Sequence, residues 1–116
     1  MKKKKIIFVM NPISGTANKA GIPSLIDKYI NHDIFDYEIA LTEYAGHASI
    51  IASKAKDDNI DIAVAVGGDG TVNEVARAIV NSNTALGIIP CGSGNGLARH
   101  LMLPMNITKA IQILNL

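Results

Sequence analysis

Cysteine, tryptophan and long apolar runs are all scarce in this sequence. Its 116 residues include one cysteine, no tryptophan and only 4% aromatic residues. The single thiol, Cys91, excludes an internal disulfide framework and any zinc site built from two or more thiolates of this chain. Such a composition fits a reducing compartment, so we expect a cytoplasmic protein. So few aromatic side chains also argue against a base-stacking surface for nucleic acid.

Positive charge is concentrated at one place. The chain has 11 basic and 10 acidic residues, and four of the basic ones form a lysine run at positions 2–5. The rest of the chain is acidic, so no nucleic-acid-binding face is indicated. The apolar run over residues 6–10 stops at Asn11 and Pro12, too early for a signal peptide or a membrane span. A solvated strand end is the favoured interpretation of the lysine run, and peripheral docking on anionic lipid at the inner face of the membrane is the alternative.

Apolar residues are plentiful, and their spacing alternates between two periods. Hydrophobic residues make up 48% of a chain of single-domain length. Short apolar runs at 5–10, 61–66 and 85–90 predict buried strands, and the period of two over 35–41 predicts a half-buried strand at or near a sheet edge. Helical spacing separates these strands at 25–30, 48–55 and 72–80, and two further helices are predicted after Gly96 and after Asn106. The alternation predicts a three-layer α/β fold with a parallel sheet.

Three of the predicted strands are followed by polar, glycine-rich turns at residues 11–16, 67–71 and 91–95. The carboxyl ends of parallel strands share one edge of the sheet, where ligands of such folds bind. Backbone amides at a strand-to-helix turn can bind phosphate, and glycine allows close approach and positive φ. The standard P-loop and dinucleotide motifs are both absent. The turns therefore predict a phosphate site of another kind.

Several polar residues in these turns have more than one interpretation. Asp69 would repel a bare phosphate, so it suits a partner for Mg²⁺ or for a polarised hydroxyl. The alternative is a tight turn in which Asp69 or Thr71 caps the following helix. Ser93 is equally suited to binding phosphate and to capping a helix, and Ser14 by itself fits a plain turn.

Three sequence segments together, NPISG, GGDGTVNEV and PCGSGNGLAR, resemble the diacylglycerol kinase catalytic superfamily, which includes sphingosine and ceramide kinases. They span residues 11–99. The resemblance implies that residues 1–116 are an N-terminal ATP-binding domain of the NAD kinase and diacylglycerol kinase type. It also implies that Mg²⁺ and ATP lie between this domain and a β-rich second domain, and that the γ-phosphate passes to a lipid hydroxyl.

The resemblance also implies which residues contact the nucleotide. Asp69 would act on the metal and the transferred phosphate, while no metal ligand is assigned with confidence in this chain. His47, near a matching Thr-x-x-x-Gly pattern, is expected to orient the backbone, and His32, His100 and Arg99 are expected on the surface or in packing. The residues expected to bind ATP are Asn11, Ser14, Gly15, Thr42, Gly67, Gly68, Asp69, Gly70, Thr71, Asn73, Glu74, Ser93, Gly94 and Asn95.

In the family, the second domain supplies the general base, the main metal ligands and the lipid pocket. No segment of this chain matches that second domain, so we expect the chain alone to have negligible kinase activity. The residues of this chain do not determine which lipid is the acceptor. We also expect an exposed apolar face, where the second domain would lie, to favour self-association. Two alternatives stay open. One is a fragment of an NAD kinase, which shares GGDGT, and the other is a stand-alone nucleotide-binding module.

Overall fold

The structure, a computed structural model, describes residues 2–12 and 21–90. Strands and helices alternate along this part of the chain, as predicted. The further helices predicted after Gly96 and Asn106 lie outside the described residues. The observed elements are β1 (Lys4–Met10), α1 (Ile22–Tyr29), β2 (Phe35–Leu41), α2 (His47–Asp57), β3 (Ile62–Gly67), α3 (Asp69–Ile79) and β4 (Ala85–Pro90).

The described strands form one parallel sheet in the order β2-β1-β3-β4. Among the described strands β2 lies at one edge and β4 at the other, which confirms the edge position predicted for β2 from its alternating residues. Met10 is in register with both Leu41 and Val66, so the strands end at the same level. The chain adds β2 on one side of β1 and β3 on the other. The strand order thus reverses between β1 and β3, the place where parallel α/β sheets open a ligand crevice.

Helices cover both faces of the sheet, which confirms the predicted three layers. α1 lies on one face, where Ile22 and Ile26 pack with large side chains of β1 such as Phe8. α2 and α3 lie on the other face, against Ile7 and Val9 of β1. The contacts on that second face are rich in alanine: Ala48, Ala52, Ala55, Ala63 and Ala65. Small side chains allow close approach, so α2 and α3 lie near the sheet and near each other.

A hydrogen bond ties β2 to α1. The Tyr37 hydroxyl donates to Asp27 Oδ1 at 2.9 Å, and the Tyr37 ring packs edge-on against Phe8 with centroids 5.8 Å apart. Burial raises the pKa of the Tyr37 phenol, and the hydrogen bond to Asp27 and its charge raise that pKa further. His32 is exposed, as expected, and its Nε2 is 2.7 Å from the Asp27 carbonyl oxygen.

No helix in residues 2–12 and 21–90 has both the length and the apolar character needed to span a bilayer.

Candidate functional site

The carboxyl ends of three strands bring predicted site residues to one edge of the sheet. Asn11 follows β1, Thr42 follows β2, and Gly67 ends β3. Backbone hydrogen bonds join these ends: the Asn11 N–H donates to the Val66 carbonyl at 3.4 Å, and the Thr42 N–H donates to the Met10 carbonyl at 2.9 Å. The first bond joins β1 to β3, across the point where the strand order reverses.

α3 begins immediately after β3, with Gly68 as its N-cap and no side-chain hydrogen bond to the cap position. The Val72 N–H donates to the Gly68 carbonyl at 3.1 Å, which starts the helical pattern. Asp69 is therefore the first helical residue, and the alternative in which Asp69 or Thr71 caps this helix is wrong. Without a capping side chain, the partial positive charge of the helix N-terminus faces the turn.

Two glycines of this turn leave room for a ligand. A methyl group added at Gly68 or at Gly70 would meet no atom of residues 2–12 and 21–90 within 4 Å. Neither residue has a positive φ, so the left-handed backbone that glycine allows is not used at these two positions. Close approach to the backbone is the property that the structure supports. Such an uncapped helix N-terminus beside open space suits an anion such as phosphate.

A cleft of about 190 Å³ lies beside α3 at the same edge. Four of the predicted residues line it: Asn11, Thr42, Thr71 and Glu74. Thr42 and Thr71 are only 9% and 5% exposed, so the sheet and helix hold their positions. Asn73 is exposed and does not line this cleft. Three further lining residues were not predicted as site residues: Glu43, Tyr44 and Ala45.

The segment joining β2 to α2, residues 42–46, is termed the β2–α2 loop. It ends at Gly46, whose φ of 89° places it in the left-handed region that favours glycine. The Glu43 N–H donates to His47 Nδ1 at 2.9 Å, and the His47 N–H donates to the Tyr44 carbonyl at 3.1 Å. Because Nδ1 accepts, the imidazole is neutral with its proton on Nε2. His47 thus orients backbone, as expected.

Tyr44 is the site residue that sequence reasoning missed most clearly. Its ring stacks on that of His47, with centroids 4.4 Å apart and planes 9° apart. Tyr44 is nevertheless 57% exposed. The available signal was its place between Thr42 and Gly46 in a segment already singled out. In a chain with so few aromatic residues, an exposed tyrosine at the predicted site was informative.

The donor set in the described residues suits a metal that is held mainly by its substrate. In these ranges no three His, Cys, Asp or Glu side chains are grouped in a way that would hold a metal ion. Mg²⁺ is commonly bound by one or two carboxylates together with phosphate oxygens and water. Asp69, exposed at the start of α3, fits the role of one such carboxylate.

A second and larger cavity, about 420 Å³, lies at the amino ends of the strands. It is lined by the lysine run with Asp58, Asn59 and Asp61, all of them exposed. Asp61 Oδ2 accepts a hydrogen bond from the Lys5 N–H at 2.7 Å. Of the predicted ATP-binding residues that the structure describes, none lines this cavity. The exposed lysines agree with the favoured interpretation of a solvated strand end.

Two of the three polar turns fall wholly or partly outside the described residues. Of the turn after β1, Asn11 and Pro12 are described, while Ser14 and Gly15 lie outside. The whole turn after β4 lies outside. The predicted contacts there, together with the predictions for Arg99 and His100, stay untested; the contacts are Ser93, Gly94 and Asn95.

Comparison with known proteins identifies relatives over nearly the whole chain. A diacylglycerol kinase of Staphylococcus saprophyticus is 35% identical over 115 residues, which are 97% of this chain and 37% of the relative. A diacylglycerol kinase of Staphylococcus aureus is 34% identical over 117 residues, covering 97% of this chain and 36% of the relative. The chain thus spans little more than a third of the length of these curated relatives.

A solved structure gives the same result for the fold. The crystal structure of a diacylglycerol kinase from Bacillus anthracis matches with a TM-score of 0.80 and 26% sequence identity, covering 99% of this chain and 43% of that one. The sequence model of the diacylglycerol kinase catalytic domain matches residues 5–116. The segments NPISG, GGDGTVNEV and PCGSGNGLAR all lie within that match. This chain therefore belongs to the diacylglycerol kinase catalytic domain family.

Proposed function

We propose that this chain is the ATP-binding domain of a lipid kinase that transfers the γ-phosphate of ATP to the hydroxyl of a diacylglycerol-like acceptor. Family membership supports the reaction class, and it favours a lipid kinase over the NAD kinase alternative. The observation that carries the nucleotide-binding role is the uncapped start of α3 at Gly68. It lies beside the reversal of strand order and has open space over Gly68 and Gly70.

The nucleotide would contact this chain at two places, the start of α3 and the cleft beside it. The phosphates would lie against the backbone amides at the start of α3, since an anion gains from both hydrogen bonds and the helix field. That field alone contributes only about 0.3 to 1 kcal/mol at an exposed site, so several amides must converge. The remainder of the nucleotide would extend into the cleft lined by Asn11, Thr42, Thr71 and Glu74. The remaining predicted contacts would come from the three polar turns: Ser14, Gly15, Gly67, Ser93, Gly94 and Asn95.

Asp69 would orient Mg²⁺ rather than bind phosphate directly. A carboxylate among amide donors repels a bare phosphate, but it attracts a divalent cation that the phosphates also hold. When bound, Mg²⁺ would neutralise charge that develops on the transferred phosphoryl group. Asn73, exposed on α3, would support the turn from outside the cleft.

Phosphoryl transfer depends on positioning and electrostatic stabilisation from several parts at once. The start of α3 would hold the phosphates, and the resemblance assigns the general base to residues beyond those that the structure describes. The relatives are almost three times as long as the matched segment. We therefore propose that the chain alone binds ATP weakly and turns over no lipid, and that further residues supply the acceptor site.

Isothermal titration with Mg-ATP tests the binding role. We expect a dissociation constant in the range from about 10 μM to a few mM, equivalent to about −7 to −4 kcal/mol. Absence of any binding up to 10 mM ligand, with the chain shown to be folded by circular dichroism, would overturn the proposal. Incubation with Mg-ATP and diacylglycerol in mixed micelles tests the inactivity. Formation of phosphorylated lipid by the chain alone would contradict that part.

A further inference from the structure

The stacked rings of Tyr44 and His47 are oriented before any ligand arrives. Their planes are 9° apart and their centroids 4.4 Å apart. His47 is held in turn by the hydrogen bond from the Glu43 N–H to Nδ1 and by its position as the first residue of α2. Gly46 lies between Tyr44 and His47 in the sequence, and its left-handed backbone turns the chain so that the two rings can stack. The loop therefore fixes the direction of the Tyr44 ring.

Core packing does not account for Tyr44. One face of its ring lies on His47, yet 57% of the residue remains exposed. Buried tyrosines place the ring in apolar surroundings and the hydroxyl on a partner, as Tyr37 does. Tyr44 instead leaves most of an apolar ring in solvent at the wall of a cleft. An oriented and exposed aromatic ring of this kind is suited to stacking a flat ligand group.

The chemistry of the cleft indicates which part of a ligand it takes. Its polar lining consists of two threonine hydroxyls, the Asn11 carboxamide and the carboxylates of Glu43 and Glu74. Among the lining residues that the structure describes there is neither lysine nor arginine. Two carboxylates repel phosphate, whereas they accept hydrogen bonds from amino and hydroxyl groups. A nucleoside supplies such donors, as the exocyclic amine of adenine and the ribose hydroxyls.

The positions of Thr71 and Glu74 along α3 also favour the nucleoside as the group that enters the cleft. Thr71 and Glu74 line the cleft and lie two and five residues beyond Asp69, which corresponds to about 3 and 7.5 Å along the helix axis. A ligand with phosphates at the start of α3 would therefore reach the cleft through its next groups. The phosphates would then lie at the backbone amides that start α3, and the nucleoside would lie among the hydrogen-bond acceptors of the cleft.

Resting on the nucleotide-binding function proposed above, we propose that Tyr44 is the stacking surface for the purine base, and that His47 is the positioning residue that holds the Tyr44 ring. Composition argued against an extended surface for nucleic acid, but a single nucleotide needs only one ring. The role follows from the loop in this chain: an exposed ring, a second ring beneath it, and a cleft of hydrogen-bond acceptors beside it.

Titration calorimetry on four forms of the chain tests this proposal: wild type, Tyr44→Ala, Tyr44→Phe and Ile50→Ala. Ile50 is the matched control, because it is also 57% exposed, lies on α2 and does not line the cleft. Each form is titrated with Mg-ATP and with magnesium tripolyphosphate, which lacks a base. Circular dichroism checks that the folds are equal, as expected for changes at exposed side chains.

We expect Tyr44→Ala to weaken Mg-ATP binding about 5- to 150-fold, the range found when a stacked aromatic ring is removed from a base. Tyr44→Phe and Ile50→Ala should stay within about twofold of wild type, and tripolyphosphate should bind all four forms alike. A Tyr44→Ala affinity within twofold of wild type would overturn the proposal. An equal loss in Tyr44→Phe, or an equal loss toward tripolyphosphate, would also overturn it.

The same titrations separate this inference from the function on which it rests. If wild type binds Mg-ATP and Tyr44→Ala binds it equally well, the nucleotide site stands and the stacking role falls. If wild type binds neither ligand, the nucleotide-binding function falls, and the stacking role falls with it.

Discussion

The two ends of the sheet hold their polar groups in different ways. At the carboxyl end, Thr42 and Thr71 are buried, and backbone hydrogen bonds and His47 fix the β2–α2 loop. At the amino end, the cavity has more than twice the volume, about 420 against 190 Å³, yet its lining side chains are all exposed. Flexible lysines lose rotamer freedom whenever they hold a ligand, at a cost of about 0.5 to 1.5 kcal/mol each.

The carboxyl end, which is the binding end proposed above, has the smaller cavity but the more firmly held polar groups. At the amino end, carboxylates offset much of the positive charge of the lysine run. Lys3 Nζ lies 3.9 Å from Asp36 Oδ1, and Asp58 and Asp61 line the same cavity as the lysine run. Exposed pairs of this kind contribute little to stability or to specific binding. Each prediction below tests one part of this contrast.

The largest effect is expected from closing the space at the start of α3. The double variant Gly68→Ala/Gly70→Ala should weaken Mg-ATP binding more than about 100-fold, because two charge-assisted hydrogen bonds to phosphate, at about 1.5 kcal/mol each, would be lost. Both methyl groups would meet open space, so the free energy of unfolding should change by less than about 1 kcal/mol. Titration calorimetry and thermal unfolding measure the two quantities.

Gly21→Ala is the matched control, since Gly21 is the N-cap of α1 and its added methyl would also meet no atom within 4 Å. This variant should bind Mg-ATP as wild type does. Unchanged affinity in the double variant would mean that phosphate does not approach these amides, and the contrast between the two ends would lose its main support.

A smaller effect is expected from the charge at the start of α3. Asp69→Asn should reduce the gain in ATP affinity that Mg²⁺ provides by about tenfold, equivalent to about 1.4 kcal/mol. It should also strengthen binding of ATP in EDTA, because a negative charge near the phosphates is removed. Titrations with and without Mg²⁺ give the ratio. Asp58→Asn, at the opposite end, should leave that ratio unchanged, and an equal change in both variants would contradict the assignment of Asp69.

Two variants of His47 test its two contacts separately, and each variant is expected to change Mg-ATP affinity several-fold. His47→Phe keeps a ring beneath Tyr44 and loses the acceptor for the Glu43 N–H, whereas His47→Asn places an oxygen where Nδ1 lies and loses the ring. Each should weaken Mg-ATP binding about 2- to 12-fold, the range of one hydrogen bond or one aromatic contact.

Magnesium tripolyphosphate, which has no base, distinguishes positioning of the Tyr44 ring from a purely structural role. His47 would act on the base through the ring that it stacks on, so both His47 variants should bind tripolyphosphate as wild type does. In a Tyr44→Ala background, neither His47 variant should weaken Mg-ATP binding further in titration calorimetry. A loss of tripolyphosphate affinity, or a further loss of Mg-ATP affinity in the Tyr44→Ala background, would rule out action through Tyr44.

The smallest effect is expected from the lysine run. Replacing residues 2–5 by alanine should change Mg-ATP affinity by less than twofold, because Lys5, the last of them, precedes Asn11 by six residues of extended strand. That corresponds to about 20 Å, more than two Debye lengths at physiological salt. A larger loss would show that the amino end contributes to the nucleotide site. Vesicle sedimentation with the same variant tests the alternative interpretation of the lysine run, docking on anionic lipid, and equal binding of wild type and variant to anionic vesicles would contradict that alternative.

Hydrophobic periodicity was sufficient to predict the fold. Buried strands read as continuous apolar runs and the edge strand reads as an alternation, because β1 is covered on both faces while β2 is half exposed. Element ends moved by a residue or more: α1 begins at Ile22, ahead of its predicted apolar face, because Pro23 is tolerated in the first turn of a helix.

The site was predictable only where a motif or a period places the residues. Thr71 and Glu74 are three apart on α3 and line the cleft, whereas Asn73 falls on another face of the helix. A motif alone cannot separate Asn73 from its neighbours. Tyr44 could not be predicted from local pattern, since its position depends on the left-handed Gly46 and on stacking with His47.

The edge position of β2 makes ligand binding and local unfolding interdependent. In the described sheet β2 pairs with β1 on one side only, and it carries the loop that lines the cleft. Edge strands open at a lower free energy than central ones, so their amide hydrogens exchange faster. A nucleotide that contacts both this loop and α3 would slow exchange along β2 more than along β1 or β3. In the described sheet β2, like β4, is paired on one side only, and β2 is thus the outer strand that a bound nucleotide would protect most.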